Sequence, residues 1–185
     1  MKSNLKKNIL IGIVSIAGLL LLAAFGWYLH FNSQFILYQD VHYKFSIKYP
    51  NTWRIIMNPR ANVAVAFVRP KDTAFDILQE NFNVTIQTAP QMDLTLPAFS
   101  ATVKRQMLAV FGKNITIVED KPMRWGWREG HLMVIVGPKP NQLRMVNAWL
   151  LRGNQAYILT FLGDVNRYPQ DALIISEMIH SFQLQ

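Results

Sequence analysis

The sequence predicts an α+β fold: an antiparallel β-sheet covered by helices, preceded by one transmembrane helix. An uncharged apolar run fills residues 9–29, strand-like segments dominate the remainder of the chain, and only two later stretches switch to helical spacing. Strands joined by short turns, interrupted by one helix and closed by another, form an antiparallel sheet with helices on it. A parallel α/β fold would alternate strand and helix throughout.

The apolar run, Ile9 to Leu29, reads ILIGIVSIAGLLLLAAFGWYL. As a helix rising about 1.5 Å per residue it covers the roughly 30 Å hydrocarbon core of a bilayer. Lys2, Lys6 and Lys7 precede it, while His30 to Tyr43 carries only Asp40 as a formal charge. Positive flanks stay on the cytoplasmic side. The expected organisation is a cytoplasmic tail (1–8), a transmembrane signal anchor (9–29), a juxtamembrane connection with one strand around Phe35 to Tyr38 (30–42), and an exported domain (43–185). The competing reading is a secretory signal cleaved after Gly26, since Ala24-Phe25-Gly26 is a small-x-small site. The length of the run and the interfacial pair Trp27-Tyr28 favour retention. Both readings export the domain, and the lysine-flanked start suits a bacterial inner membrane with the domain on the periplasmic side.

The chain has no cysteine, which excludes disulfides, thiolate metal sites, a cysteine nucleophile and a lipid-modified cysteine. Its formal net charge of +8 suits anionic lipid headgroups or an acidic protein face. The basic residues are scattered, and an exported domain is a poor fit for nucleic acid.

Tyr43 to Tyr49 alternates apolar and polar residues like a strand with one wet face, and Pro50-Asn51 then turns the chain. WRIIM and VAVAFV are further strands, closed by Arg69-Pro70-Lys71-Asp72, and NFNVTIQT places Phe82, Val84 and Ile86 on one side. From Pro97 to Gly112, Phe99, Val103, Met107, Val110 and Phe111 recur at helical spacing between a first-turn proline and a terminal glycine. ITIVE, HLMVIVG and RMVNAWLL resume the strands, and Arg152-Gly153-Asn154-Gln155 joins the last of these to AYILTFL as a hairpin. Glu119-Asp120 is expected to flank a turn before Lys121-Pro122. Ala172, Ile175, Met178, Ile179 and Phe182 then mark a closing helix over Tyr168 to Phe182.

YKFSIKYPNTW near the start, AWLLRGNQAYILTF later and the closing Ile179-His180-Ser181-Phe182 together resemble the PsbP/Mog1 type of domain, including its bacterial DcrB-like branch. The resemblance covers about Tyr43 to Leu184 and implies an α/β/α sandwich. It assigns Tyr43, Phe45, Tyr49, Pro50 and Trp53 to the opening strand and turn, with Ile179 and Phe182 packing the last helix on the sheet. It also implies a non-catalytic role as an assembly factor, adaptor or accessory subunit. The chain departs from many bacterial relatives, which are lipoproteins, in having no cysteine to modify.

The residues themselves propose no chemistry. His30, His42, His131 and His180 show no metal-ligand spacing, and no nucleophile elbow, P-loop or dinucleotide fingerprint occurs. No catalytic, cofactor or metal site is therefore expected. The sharpest local feature is RWGWREGH, Arg124 to His131. Read as extended, it sets Trp125 and Trp127 on one face and Arg124 and Arg128 on the other. These four are the candidate partner-binding residues, because tryptophan and arginine concentrate at binding hot spots. The alternative is a hairpin whose two indoles cover the core, with Arg128 to His131 as its turn. The expected function is a membrane-anchored accessory or assembly subunit of an envelope protein complex. A binding module for a lipid or small apolar ligand, held between sheet and helix, is the other reading.

Overall fold

The apolar N-terminal run folds as one long helix, α1 (Lys2–Ser33), in the computed structural model, which describes residues 2–71, 79–88, 95–140 and 142–185. Asp72 of the expected closing turn lies outside them. Among the described residues Ser15–Ser33 is long and apolar enough to cross a membrane. Leu19 to Leu22 and Phe25 are exposed all round the helix, an arrangement that water penalises and lipid does not. The chain divides into two units, residues 1–36 and 37–185.

From Phe35 onward, alternation and turn chemistry set the strands. A three-stranded sheet has β1 (Phe35–Asp40), β2 (Phe45–Pro50) and β10 (Gln183–Leu184) in the order β1-β2-β10. A seven-stranded sheet is built from β3 (Arg54–Arg60), β4 (Val63–Val68), β5 (Asn81–Thr88), β6 (Thr116–Trp125), β7 (Arg128–Val136), β8 (Leu143–Arg152) and β9 (Gln155–Asp164). Its order is β3-β4-β5-β9-β8-β7-β6, antiparallel throughout. Gly153, at φ +59°, opens the two-residue turn between β8 and β9, the geometry that matches strand twist.

Helix α2 (Leu96–Phe111) is capped by the Thr95 hydroxyl, which accepts from the Ala98 amide, and it carries a proline in its first turn. It lays Phe99 and Val103 on Met133, Ile135, Trp149 and Ala156 of the large sheet, and Trp149 Nε1 donates to Ser100 Oγ at 2.9 Å. Alternation along β8 and β9 sends Val146, Tyr157 and Phe161 to the opposite face. Helix α3 (Tyr168–Ser181) packs on that side with the small sheet: Phe182, just past its end, stacks on Phe45 at 5.4 Å and meets the rings of Tyr157 and Trp125. The layers are α2, the seven-stranded sheet, then α3 with the small sheet, the expected sandwich.

Several local expectations are corrected. The Tyr43–Tyr49 strand has no fully wet face. Ser46 is buried because β10 pairs beside it, and the Lys48 amide donates to Ser181 Oγ at 2.9 Å. Trp53, by contrast, is buried after the Pro50 turn, the core role that the resemblance implies. Val110, 74% exposed, and Phe111 leave the core because α2 runs past the hydrophobic cluster at its C-terminal end. Glu119-Asp120 and Pro122 lie inside β6, where proline is tolerated because β6 is an edge strand.

Candidate functional site

Arg124 to His131 folds as a tight hairpin, not as an extended segment. Trp125 pairs with Arg128, so Gly126-Trp127 is the turn, and Gly126 at φ +59° supplies the backbone that a side chain resists. The chain reverses between the indoles and sends them apart: Trp125 is 7% exposed and Trp127 79%. The expectation of one shared face is corrected, and so is a turn at Arg128 to His131, since these residues begin β7.

Trp125 is an anchor. Its Nε1 donates to the Ile179 carbonyl at the end of α3, which also accepts from the Phe182 amide at 3.3 Å, so the indole satisfies a helix-terminal acceptor. Its ring lies over Gly130, where an added Cβ would collide with it and would stand 2.7 Å from the Trp149 carbonyl. Trp127 is the projecting member. The Arg128 guanidinium lies 4.2 Å above its ring, while Arg124 and Glu129 face each other at 4.0 Å in open solvent. Arg124 pairs with Glu129 and Arg128 with Trp125, so the two arginines stand on opposite faces of the hairpin, which corrects the expectation that they share one, and Arg128 is the one recorded on the exposed indole. A surface groove of about 290 Å³ adjoins it, lined by Trp125, Trp127, Leu150, Phe182 and Leu184 among others. The arrangement offers a flat aromatic contact with one cation held on it, features of a protein-binding hot spot.

Two titratable clusters were not legible in the sequence. On the α2 side, Lys104 Nζ and His131 Nε2 each lie 2.6 Å from an oxygen of Asp120, and the His131 ring stacks on Trp149 at 5.0 Å. The hydrogen bonds from Lys104 and then His131 hold the Asp120 carboxyl below the usual carboxylate range. A depressed folded-state pKa contributes stability that is present above the unfolded value and lost as pH falls through the folded one. Asp120→Asn should therefore flatten the acid side of the stability profile. The full chain in mild detergent should lose about 0.5 to 1 kcal/mol at neutral pH, by urea unfolding, and that loss should shrink as the pH falls below the ordinary carboxylate range and through the lowered value of Asp120.

The second cluster is buried. Arg69 Nη1 donates to Glu80 Oε2 at 2.7 Å and to Asp171 Oδ2 at 2.9 Å, and Arg167 Nε stands 3.8 Å from Glu80 Oε1. Burial, helped by the Glu80 charge and opposed by Arg69, pushes the Asp171 carboxyl up. The network ties the end of β4 and the start of β5 to the first turn of α3, a structural position. Among the described residues no group of His, Asp and Glu side chains is arranged to hold a metal ion.

An apolar groove of about 430 Å³ lies at the other end of the sheet from the Trp127 turn. It is lined by Val110, Phe111, Ile115, Pro138, Leu143 and Leu162 among others. The C-terminal turn of α2 that the core leaves uncovered forms one wall.

No family model and no curated protein matches this sequence. Solved structures do. Cyanobacterial PsbP (CyanoP) from Synechocystis sp. PCC 6803 superposes with a TM-score of 0.64 at 16% identity, over 82% of this chain and 93% of that one. The Ran-binding protein Mog1p of Saccharomyces cerevisiae gives 0.53 at 11% identity, over 81% and 95%. LpqN, involved in cell envelope biogenesis of Mycobacterium tuberculosis, gives 0.54 at 8% identity, over 82% and 91%. At these identities the likeness is one of fold, and it covers the two sheets with their packed helices. The chain carries a domain of the PsbP/Mog1-like fold behind an N-terminal apolar helix.

Proposed function

We propose that the chain is a single-pass membrane protein, N-terminus cytoplasmic, whose exported domain serves as a non-catalytic accessory or assembly subunit of an envelope protein complex. It engages its partner through the β6–β7 turn. The observation that carries this reading is the pairing of roles within one hairpin: Trp125 fixes the turn to the core while Trp127 projects with Arg128 on its ring. The indole and guanidinium are held together before binding, which lowers the entropy lost on contact. The Arg128 cation on the indole fits an acidic partner face. Mog1p, of like fold, is a Ran-binding protein, which supports a protein-binding role, and LpqN is involved in cell envelope biogenesis, which supports a place in the envelope.

The test is recovery of partners by affinity capture of the full-length protein from its own solubilised membranes. Trp127→Ser should abolish recovery with folding intact, and Arg128→Ala should weaken it. Undiminished recovery with Trp127→Ser would overturn the assignment. The groove beside Phe111 favours a second reading, a carrier of a lipid or small apolar ligand. Native mass spectrometry of the same preparation would show a small-molecule adduct in that case and an added protein mass in the first.

A further inference from the structure

The two edges of the large sheet are built differently. On the α3 face a row of paired side chains runs from Ile55 through Phe67 and Phe82 to Phe161. It continues across Val146 and Val134 and stops at Glu119 on β6. The next row starts at Met57 and stops at Lys121 in the same way. Glu119 and Lys121 are bridged at 2.8 Å, and Pro122 comes directly after them, so the β6 edge ends in charge and a missing donor. These devices keep another strand from adding to a sheet.

At β3 the same rows end in apolar side chains, and its own guards, Pro59 and a register shift, stand only beyond Met57. All seven β3 residues are exposed. Ile55, Ile56 and Met57 form an uncharged apolar run at the outer strand, with Met57 68% exposed. Among the described residues no strand pairs with β3 on its outer side. Beyond Met57 the register shifts, with Asn58 at φ +47°, so the regular edge has a defined end. Arg54 and Arg60 bracket the run, and no acidic residue occurs from Trp53 to Lys71.

We propose that β3 is a docking edge for an extended peptide segment of a partner protein, apolar at its centre and acidic at its ends, which adds as a strand and continues the apolar rows. Main-chain hydrogen bonds to the open edge supply affinity, and the row ends at Ile55 and Met57 receive alternate side chains. Arg54 and Arg60 select acidic flanks. The same arginines disfavour a second copy of β3, because antiparallel self-pairing brings like charges opposite one another. This surface is separate from the Trp127 turn and does not depend on it.

The experiment is amide hydrogen exchange on the full-length protein in phosphatidylcholine nanodiscs. The probe is a blocked peptide of about nine residues, alternating valine and threonine, with glutamates at both ends; a second peptide has lysines there. The glutamate peptide should slow exchange within Arg54 to Met57, and the lysine peptide should bind about tenfold more weakly. The effect should vanish in Ile55→Lys/Met57→Lys, whose exposed sites tolerate charge, and persist in Trp127→Ser. Absence of protection at β3, or equal protection by both peptides, would overturn the proposal. Protection without peptide that grows with protein concentration would also overturn it, by assigning the edge to a second copy.

Discussion

Trp125→Ala is expected to cost about 3 to 5 kcal/mol of folding stability, whereas Trp127→Ala, two residues away, should change it by no more than about 0.5 to 1 kcal/mol. The first substitution removes a buried indole that meets Phe182 edge-on at 6.3 Å and covers Gly130, and nothing nearby can collapse into the space without moving the end of α3. It also takes away a donor to the Ile179 carbonyl. Trp125→Phe separates these effects: it keeps most of the packing, loses the hydrogen bond and should cost about 1 to 2 kcal/mol. Urea unfolding of the full chain in mild detergent measures all three variants. Equal costs for the alanine variants would contradict the buried-and-projecting assignment on which the partner-binding reading stands.

That assignment also marks where the sequence stopped being legible. Period-two alternation identified β5 and the β8–β9 hairpin, because Phe82, Val84 and Ile86 face one covered side and Gly153-Asn154 is a recognisable turn. In Arg124 to Arg128 the same alternation misleads. A two-residue reversal preserves the spacing of the tryptophans while inverting their directions, and the only local signal is a glycine in the first turn position. Phe111 has helical spacing but lies beyond the sheet area that α2 covers, and spacing does not record where a partner layer ends. Strand β10 is two residues long and owes its existence to β2 beside it. The Asp120–His131 and Arg69–Asp171 contacts span 11 and 102 residues, so they arise from the fold and not from any motif. The difference between the sheet edges was present in the sequence as RIIM, with its proline only after it, against EDKP, yet it acquires meaning only once the strand order places both outermost.

Arg69→Leu carries the second large effect, an expected loss of about 2 to 4 kcal/mol at neutral pH, below the usual cost of breaking a fully buried pair because Arg69 retains some contact with solvent. The guanidinium is the donor shared by Glu80 and Asp171, both nearly inaccessible to water, and an aliphatic side chain in its place leaves two carboxylates facing each other in a desolvated corner. In the native protein the Asp171 carboxyl already sits above its ordinary range, chiefly through burial. A carboxyl with a raised folded-state pKa favours the fold most when protonated, and that contribution is lost as pH rises through the folded value. Removing Arg69 takes away the charge that opposes the rise, so the variant's deficit should shrink as pH falls from 7 toward about 4 and the carboxyl takes up its proton. Asp171→Asn in the Arg69→Leu background should recover part of the loss at neutral pH and weaken this pH dependence, read from urea midpoints of the full chain in detergent. A deficit that stays constant with pH would mean that the network acts through packing, and that charge burial at the head of α3 is not what Arg69 relieves.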